Sequence, residues 1–150
     1  MEILTGQSYE MDNLVSRSGK FTVNEFEVIG KEMSTTFKDD SINNGEYVIT
    51  TTRAIEDENR IMDVESLLPV NERMEVEEPY VFKDKIKIVN ALYIKVTDIN
   101  LLQEAMNKMN KYIMAYKLLP VSSAYLVQTK QGESELPCTE IYIGISPNIL

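Results

Sequence analysis

The sequence predicts an α+β fold in which a strand–helix–strand–strand unit (βαββ) occurs twice, giving antiparallel sheets, two helices and a cleft between the repeats. Two spacings predict the duplication. Helix-start signals at Thr22 and Asp98 stand 76 residues apart, and acidic residues in the last strand of each unit, Glu65 and Glu140, stand 75 apart. A period this long is typical of duplication within one domain rather than of a solenoid. We therefore expect one domain over 1–150, with repeats at about 8–70 and 80–146 and an acidic connector at about 71–79.

The first repeat contains a clear helix start. Thr22 and Glu25 form a capping box, and Phe26, Ile29, Met33 and Phe37 then recur at helical spacing as an apolar stripe. The other predicted elements are strands over 8–17, 47–52 and 61–70, a break at Ser18-Gly19, a turn at 43–45 and an acidic loop over 54–59. We expect the helical stripe to lie in the core.

The second repeat follows the acidic connector, which we expect to be solvated. A strand over 85–96 leads to a helix that Thr97-Asp98 should cap. The predicted buried stripe of this helix is Leu102, Met106, Met109, Ile113 and Tyr116. A strand over 122–128, a polar loop over 130–135 and a closing strand over 137–146 complete the repeat.

The closing strand alternates strictly between two faces. Thr139, Ile141, Ile143 and Ile145 share one face, and Cys138, Glu140, Tyr142 and Gly144 share the other. This period of two predicts a half-buried strand with its isoleucines on the core. A carboxylate beside an aromatic ring in mid-strand suggests a binding function for the second face. The plainer alternative is a surface salt bridge from Glu140 to a lysine, with Tyr142 as packing.

Composition excludes several classes of function. The net charge of −9 and pI near 4.6 argue against direct nucleic-acid binding, which requires a basic face. The absence of histidine excludes Ser-His and Cys-His catalysis and most zinc sites, and a single cysteine, Cys138, cannot form an internal disulfide. With no secretion signal and no apolar run long enough to span a membrane, we expect a cytoplasmic protein with no membrane association, no metal and no cofactor.

The duplicated order and three segments resemble the GyrI-like family, the effector-binding domains of some bacterial transcription activators, which also occur as free-standing proteins. The segments are Glu140-Ile141-Tyr142-Ile143-Gly144-Ile145, Tyr125-Leu126, and Asp63-Val64-Glu65 followed by Pro69-Val70. The resemblance covers about Tyr9 to Ile145. The family's His-x-Gly-x-Tyr-like segment has no counterpart here, where the chain reads Lys95-Val96-Thr97-Asp98-Ile99.

The resemblance implies a non-catalytic module that binds a small hydrophobic or cationic ligand in the cleft, with Glu140 as its anchor. A buried carboxylate gains from accepting a cation, and tyrosine faces add cation–π attraction. The candidate ligand-binding residues are Glu140, Tyr142, Tyr125, Glu65 and Tyr93. Two alternatives stay open: a protein-binding inhibitor or accessory protein acting through its acidic surface, and a small hydrolase that uses Glu140. The sequence does not predict an oligomeric state.

Overall fold

The computed structural model describes residues 2–41, 48–54, 61–129 and 138–146. The elements are β1 Leu4–Phe21, α1 Val23–Thr36, β2 Val48–Ala54, β3 Met62–Pro69, β4 Val81–Val96, α2 Leu102–Ala115, β5 Pro120–Thr129 and β6 Cys138–Ile145. This order, with antiparallel pairing and two helices, confirms the α+β prediction. The predicted turn at 43–45, most of the loop at 54–59, the loop at 130–135 and the Phe26 side chain lie outside the described part of the chain.

The chain divides into two compact units. The first unit comprises Met11–Ile86, and the second comprises Met1–Glu10 together with Lys87–Leu150. In the first unit β3 pairs with β1 and with β2, and in the second unit β6 pairs with β4 and with β5, always antiparallel. The last strand of each βαββ series is therefore central within its unit. The repeat boundaries drawn from the sequence stay a prediction.

The first unit is built around α1. The capping box forms as predicted, since the Thr22 backbone N–H donates to the Glu25 carboxylate at 2.9 Å. This hydrogen bond also lowers the pKa of Glu25. The predicted stripe is buried at Ile29, Met33 and Phe37, which pack in one cluster with β1 and β3 residues. The helix thus covers one face of its strands.

β1 is longer than the sequence predicted. The expected break at Ser18-Gly19 is wrong, because β1 pairs with β3 without interruption from Leu14 to Phe21. Ser18 lies opposite Glu65, and Gly19 lies opposite Val64. Polar and glycine residues that read locally as a turn are held extended by a partner strand more than 40 residues away. Tertiary pairing therefore overrides the local signal.

The start and end of α2 also differ from the prediction. Asp98 does not cap α2: its carboxylate accepts from the Asn100 backbone N–H at 2.9 Å and begins a 3₁₀ turn, Ile99–Leu101, and α2 starts after that turn. Ala105 and Met109 are buried in the core of the second unit. Tyr116 is 64% exposed, because α2 ends at Ala115 and the chain turns away there. Tyr116 therefore does not belong to the buried stripe.

Candidate functional site

The alternation of burial predicted for β6 is present over residues 138–141, but both faces are buried over 142–145, where the prediction of a half-buried strand is wrong. Ile141, Ile143 and Ile145 pack on the α2 side, as expected. On the opposite face Tyr142 is only 8% exposed, and Gly144 is also buried. The physical reason is that side chains cover both faces: α2 residues pack on the isoleucines, and the rings of Tyr9 and Tyr93 lie 5.0 Å from that of Tyr142. Glu140, on the same face as Tyr142, is half-buried.

Three of the predicted tyrosines form a row across this second face. Tyr142 lies directly opposite Tyr93 on β4 and directly opposite Tyr125 on β5. Residues opposite each other in antiparallel strands project to the same side, so the three side chains share one face. The Tyr93 and Tyr142 ring centroids are 5.0 Å apart. We call this surface, with Glu140, the tyrosine face.

Glu140 accepts hydrogen bonds from the phenols of this row. The Tyr142 hydroxyl donates to Glu140 Oε2 at 3.1 Å, and the Tyr93 hydroxyl also bonds to the carboxylate. Burial, this hydrogen bond and the Glu140 charge, followed by a smaller effect of Cys138, raise the pKa of Tyr93 to about 12. Tyr93 is therefore a neutral donor at physiological pH. Neutral donors orient the carboxylate but do not cancel its charge.

The surface salt bridge considered for Glu140 does not form in the described part of the chain. Lys95 lies opposite Glu140 in the strand register, yet no lysine or arginine among the described residues lies within 4.0 Å of the carboxylate as an ion-pair partner. Within the described ranges, the half-buried carboxylate thus has phenol donors but no paired cation. Such a group favours a positively charged ligand.

Tyr9 joins this surface, and sequence reasoning missed that role. Its ring centroid lies 5.0 Å from that of Tyr142, with the planes inclined at 35°. The alternation of β1 places Tyr9 on a strand face, but the neighbour of that face comes from a strand more than 130 residues later. Local periodicity carries no signal for such a contact.

Glu65 belongs to the first unit and is already neutralised there. Its carboxylate accepts from the Ser16 hydroxyl at 2.6 Å and forms an ion pair with Lys83. Glu65 lies opposite Ser18 of β1, whereas Glu140 lies opposite Lys95 of β4. That the two positions match each other in the repeats stays a prediction.

A groove of about 700 Å³ lies along the acidic connector of the first unit. Its apolar walls are Met74, Val76, Val81 and the rings of Tyr80 and Phe82. Met74 and Val76 also pack against the core of the first unit, so the connector is only partly solvated.

Charged residues line the mouth of this connector groove. Arg73 lies over the Phe82 ring, 5.4 Å from its centroid, and pairs with Asp84 at 2.5 Å. Glu75 lines the groove, and it is exposed, as are Glu72, Glu77 and Glu78 beside it. None of the predicted ligand-binding residues lines this groove.

Neither a metal cluster nor a membrane-spanning helix occurs among the described residues. Within this part of the chain, no group of three or more cysteine, aspartate and glutamate side chains could hold a metal ion. The two helices described are both too short and too polar to cross a bilayer.

Comparison with known proteins gives similarity in structure alone. No protein-family model matches the sequence, and no curated protein matches it either. Among solved structures, the C-terminal domain of EcmrR superposes with a TM-score of 0.63 at 19% identity, covering 97% of this chain and 99% of that domain. A complex of EcmrR with DNA matches with a TM-score of 0.65, also at 19% identity, covering 96% of this chain. This chain spans 57% of the EcmrR chain in that complex.

A third similar structure contains a ligand. SAV2435 bound to tetraphenylphosphonium superposes with a TM-score of 0.56 at 12% identity, covering 97% of this chain and 93% of that one. At these identities the comparisons establish the fold, which this chain shares with the EcmrR C-terminal domain and SAV2435.

Proposed function

We propose that the chain is a non-catalytic binding module that holds a small hydrophobic cation on the tyrosine face, with Glu140 as the anchor. The observation that carries this proposal is the half-buried Glu140 carboxylate, which has phenol donors from Tyr93 and Tyr142 and no basic partner in the described residues. Glu65, whose charge is matched by Lys83, is not part of the proposed anchor.

The chemistry of the face favours a lipophilic cation over a small hydrated one. Tyr93, Tyr125, Tyr142 and Tyr9 supply aromatic surface, and each ring placed against a cation adds about 0.5–2 kcal/mol. A charge spread over aromatic groups also loses little hydration energy on entering a half-buried surface. An ammonium ion with a tight hydration shell loses more.

The similar structure that contains tetraphenylphosphonium supplies a suitable probe. We expect tetraphenylphosphonium to bind this chain at least tenfold more tightly than triphenylphosphine oxide, a neutral molecule with three of the same rings. Isothermal titration calorimetry of the full chain with each compound measures both affinities. Equal affinities, or no heat of binding from either compound, would contradict the proposal.

A further inference from the structure

A rigid apolar patch lies where α2 ends and β5 begins. Four large apolar side chains within eight residues are well exposed: Met114 at 77%, Tyr116 at 64%, Leu119 at 65% and Val121 at 63%. We call these four residues the turn patch. Single exposed apolar residues are ordinary, but four of them within eight residues of chain favour an interaction surface.

Backbone hydrogen bonds fix the turn that carries this patch. The Leu118 N–H donates to the Ile113 carbonyl at 3.0 Å, and the Lys117 N–H donates to the Met114 carbonyl at 3.3 Å. Lys117 has a φ of +53°, which completes a Schellman motif at the end of the helix. Leu118 and Ile113 both pack against the core of the second unit. The patch is therefore presented by an ordered turn, so that binding would cost little conformational entropy.

The charge around the turn patch is opposite to that of the whole chain. Residues 105–121 contain three lysines and no acidic residue, in a chain with a net charge of −9. Lys117 lies within the patch sequence, and Lys111 lies one helical turn before Met114, so it projects from the same side of α2. A surface that complements the turn patch is therefore apolar and has acidic residues at its edge.

The connector groove of the first unit has this chemistry. Met74, Val76 and Phe82 provide a concave apolar surface, and Val81 beside them is 58% exposed. The exposed Glu75 lines it together with Asp84, whose charge is matched by Arg73, and three more exposed glutamates, Glu72, Glu77 and Glu78, lie close by in the sequence. An apolar patch with lysines thus exists on the same chain as an apolar groove with glutamates.

We propose that the turn patch of one molecule docks into the connector groove of a second copy of this chain. Apolar contact drives the association, and the lysines facing the glutamates fix its direction. Because the two surfaces differ, one contact leaves a second patch and a second groove, which either meet each other in a two-fold dimer or bind further copies head to tail. This association is independent of ligand binding at Glu140.

Charge reversal tests the pairing directly. Sedimentation velocity of the full chain over a range of concentrations should show reversible self-association. Lys117→Glu and Glu75→Lys should each weaken the self-association at least tenfold, because each places like charges across the contact. Lys20→Glu, the same charge change at an exposed position outside both surfaces, is the control and should not weaken it.

Mixing the two variants provides the decisive experiment. In an equimolar mixture, the patch of the Lys117→Glu variant can dock into the groove of the Glu75→Lys variant, where the two introduced charges are opposite. The patch of the Glu75→Lys variant can dock into the groove of the Lys117→Glu variant, where both residues are the native ones. Association should therefore return to near the wild-type strength. A wild-type chain that stays monomeric at all concentrations would overturn the proposal. So would association that Lys117→Glu weakens and Glu75→Lys does not, which would indicate contact between two turn patches.

Discussion

Replacing Glu140 with glutamine should reduce the affinity for a lipophilic cation about 100-fold. The substitution removes one negative charge and leaves the shape of the side chain almost unchanged. With a cation centre about 5 Å from the carboxylate and an effective dielectric constant of about 20, the Coulomb energy lost is about 3 kcal/mol. At about 1.4 kcal/mol for each tenfold change, this corresponds to roughly 100-fold in Kd.

Calorimetric titration with tetraphenylphosphonium checks this magnitude. The glutamine carbonyl can still accept the Tyr142 hydroxyl, so the free energy of unfolding, measured with urea, should fall by no more than about 1 kcal/mol. Affinity for the neutral triphenylphosphine oxide should change less than threefold, because no charge is involved.

The matched control is Glu65→Gln, the same chemical change at a carboxylate that Lys83 already neutralises. This variant should lose less than threefold in affinity for the cation. Its stability should fall, since the ion pair with Lys83 is lost and a partly buried ammonium loses its partner. If Glu140→Gln bound the cation as tightly as the wild type, the electrostatic argument for the anchor would be refuted.

Two further predictions concern Tyr93 and Gly144 in the second unit, and Gly30 in the first unit provides a comparison for the latter. Because the pKa of Tyr93 is raised to about 12, its contribution to stability is complete below about pH 10 and is lost as the pH rises through about 12. We would record the absorbance at 295 nm of the wild type and of Tyr93→Phe after rapid pH jumps. The difference between the two proteins should rise in one step near pH 12, where the Tyr93 phenol ionises. Glu140→Gln should move that step to lower pH, and a wild-type step at pH 10 would be inconsistent with the hydrogen bond. Gly144→Ala should destabilise the protein by about 1–2 kcal/mol in urea unfolding, since its Cβ would lie 3.1 Å from Ser122 Oγ and 3.3 Å from Ile88 Cγ2. Gly30→Ala, in α1 with nothing within 4 Å of the added Cβ, should instead stabilise by about 0.5–1 kcal/mol, and a neutral Gly144→Ala would show that the strands yield easily.

The sequence predicted the order of the elements because their signals are local. The capping box at Thr22 marks the start of α1, and the alternation along β6 identified the strand that carries Glu140 and Tyr142. Local patterns also placed the buried residues of α1 and the isoleucine face of β6 correctly. In each case the signal lies within a few residues of sequence or along one face of a single helix or strand.

The errors arose where distant residues decide the structure. Strand alternation indicates two faces but not which distant side chains cover them, so the burial of Tyr142 beside Tyr9 was not predicted. The partners of Glu65, Ser16 and Lys83, come from other strands, and the spacing along the chain does not identify them. The approach of Tyr9 to Tyr142 likewise depends on the fold as a whole. The sequence can thus identify a residue of the site correctly without identifying the residues that contact it.

The most direct test of the central claim is a crystal structure of this chain with tetraphenylphosphonium. We expect the phosphorus atom within about 6 Å of the Glu140 carboxylate, the range over which a single charge and an aromatic face attract a cation strongly. At least one phenyl group should lie against Tyr93 or Tyr142. A cation bound in the connector groove near Glu75, with the tyrosine face unoccupied, would contradict the assignment of Glu140 as the anchor.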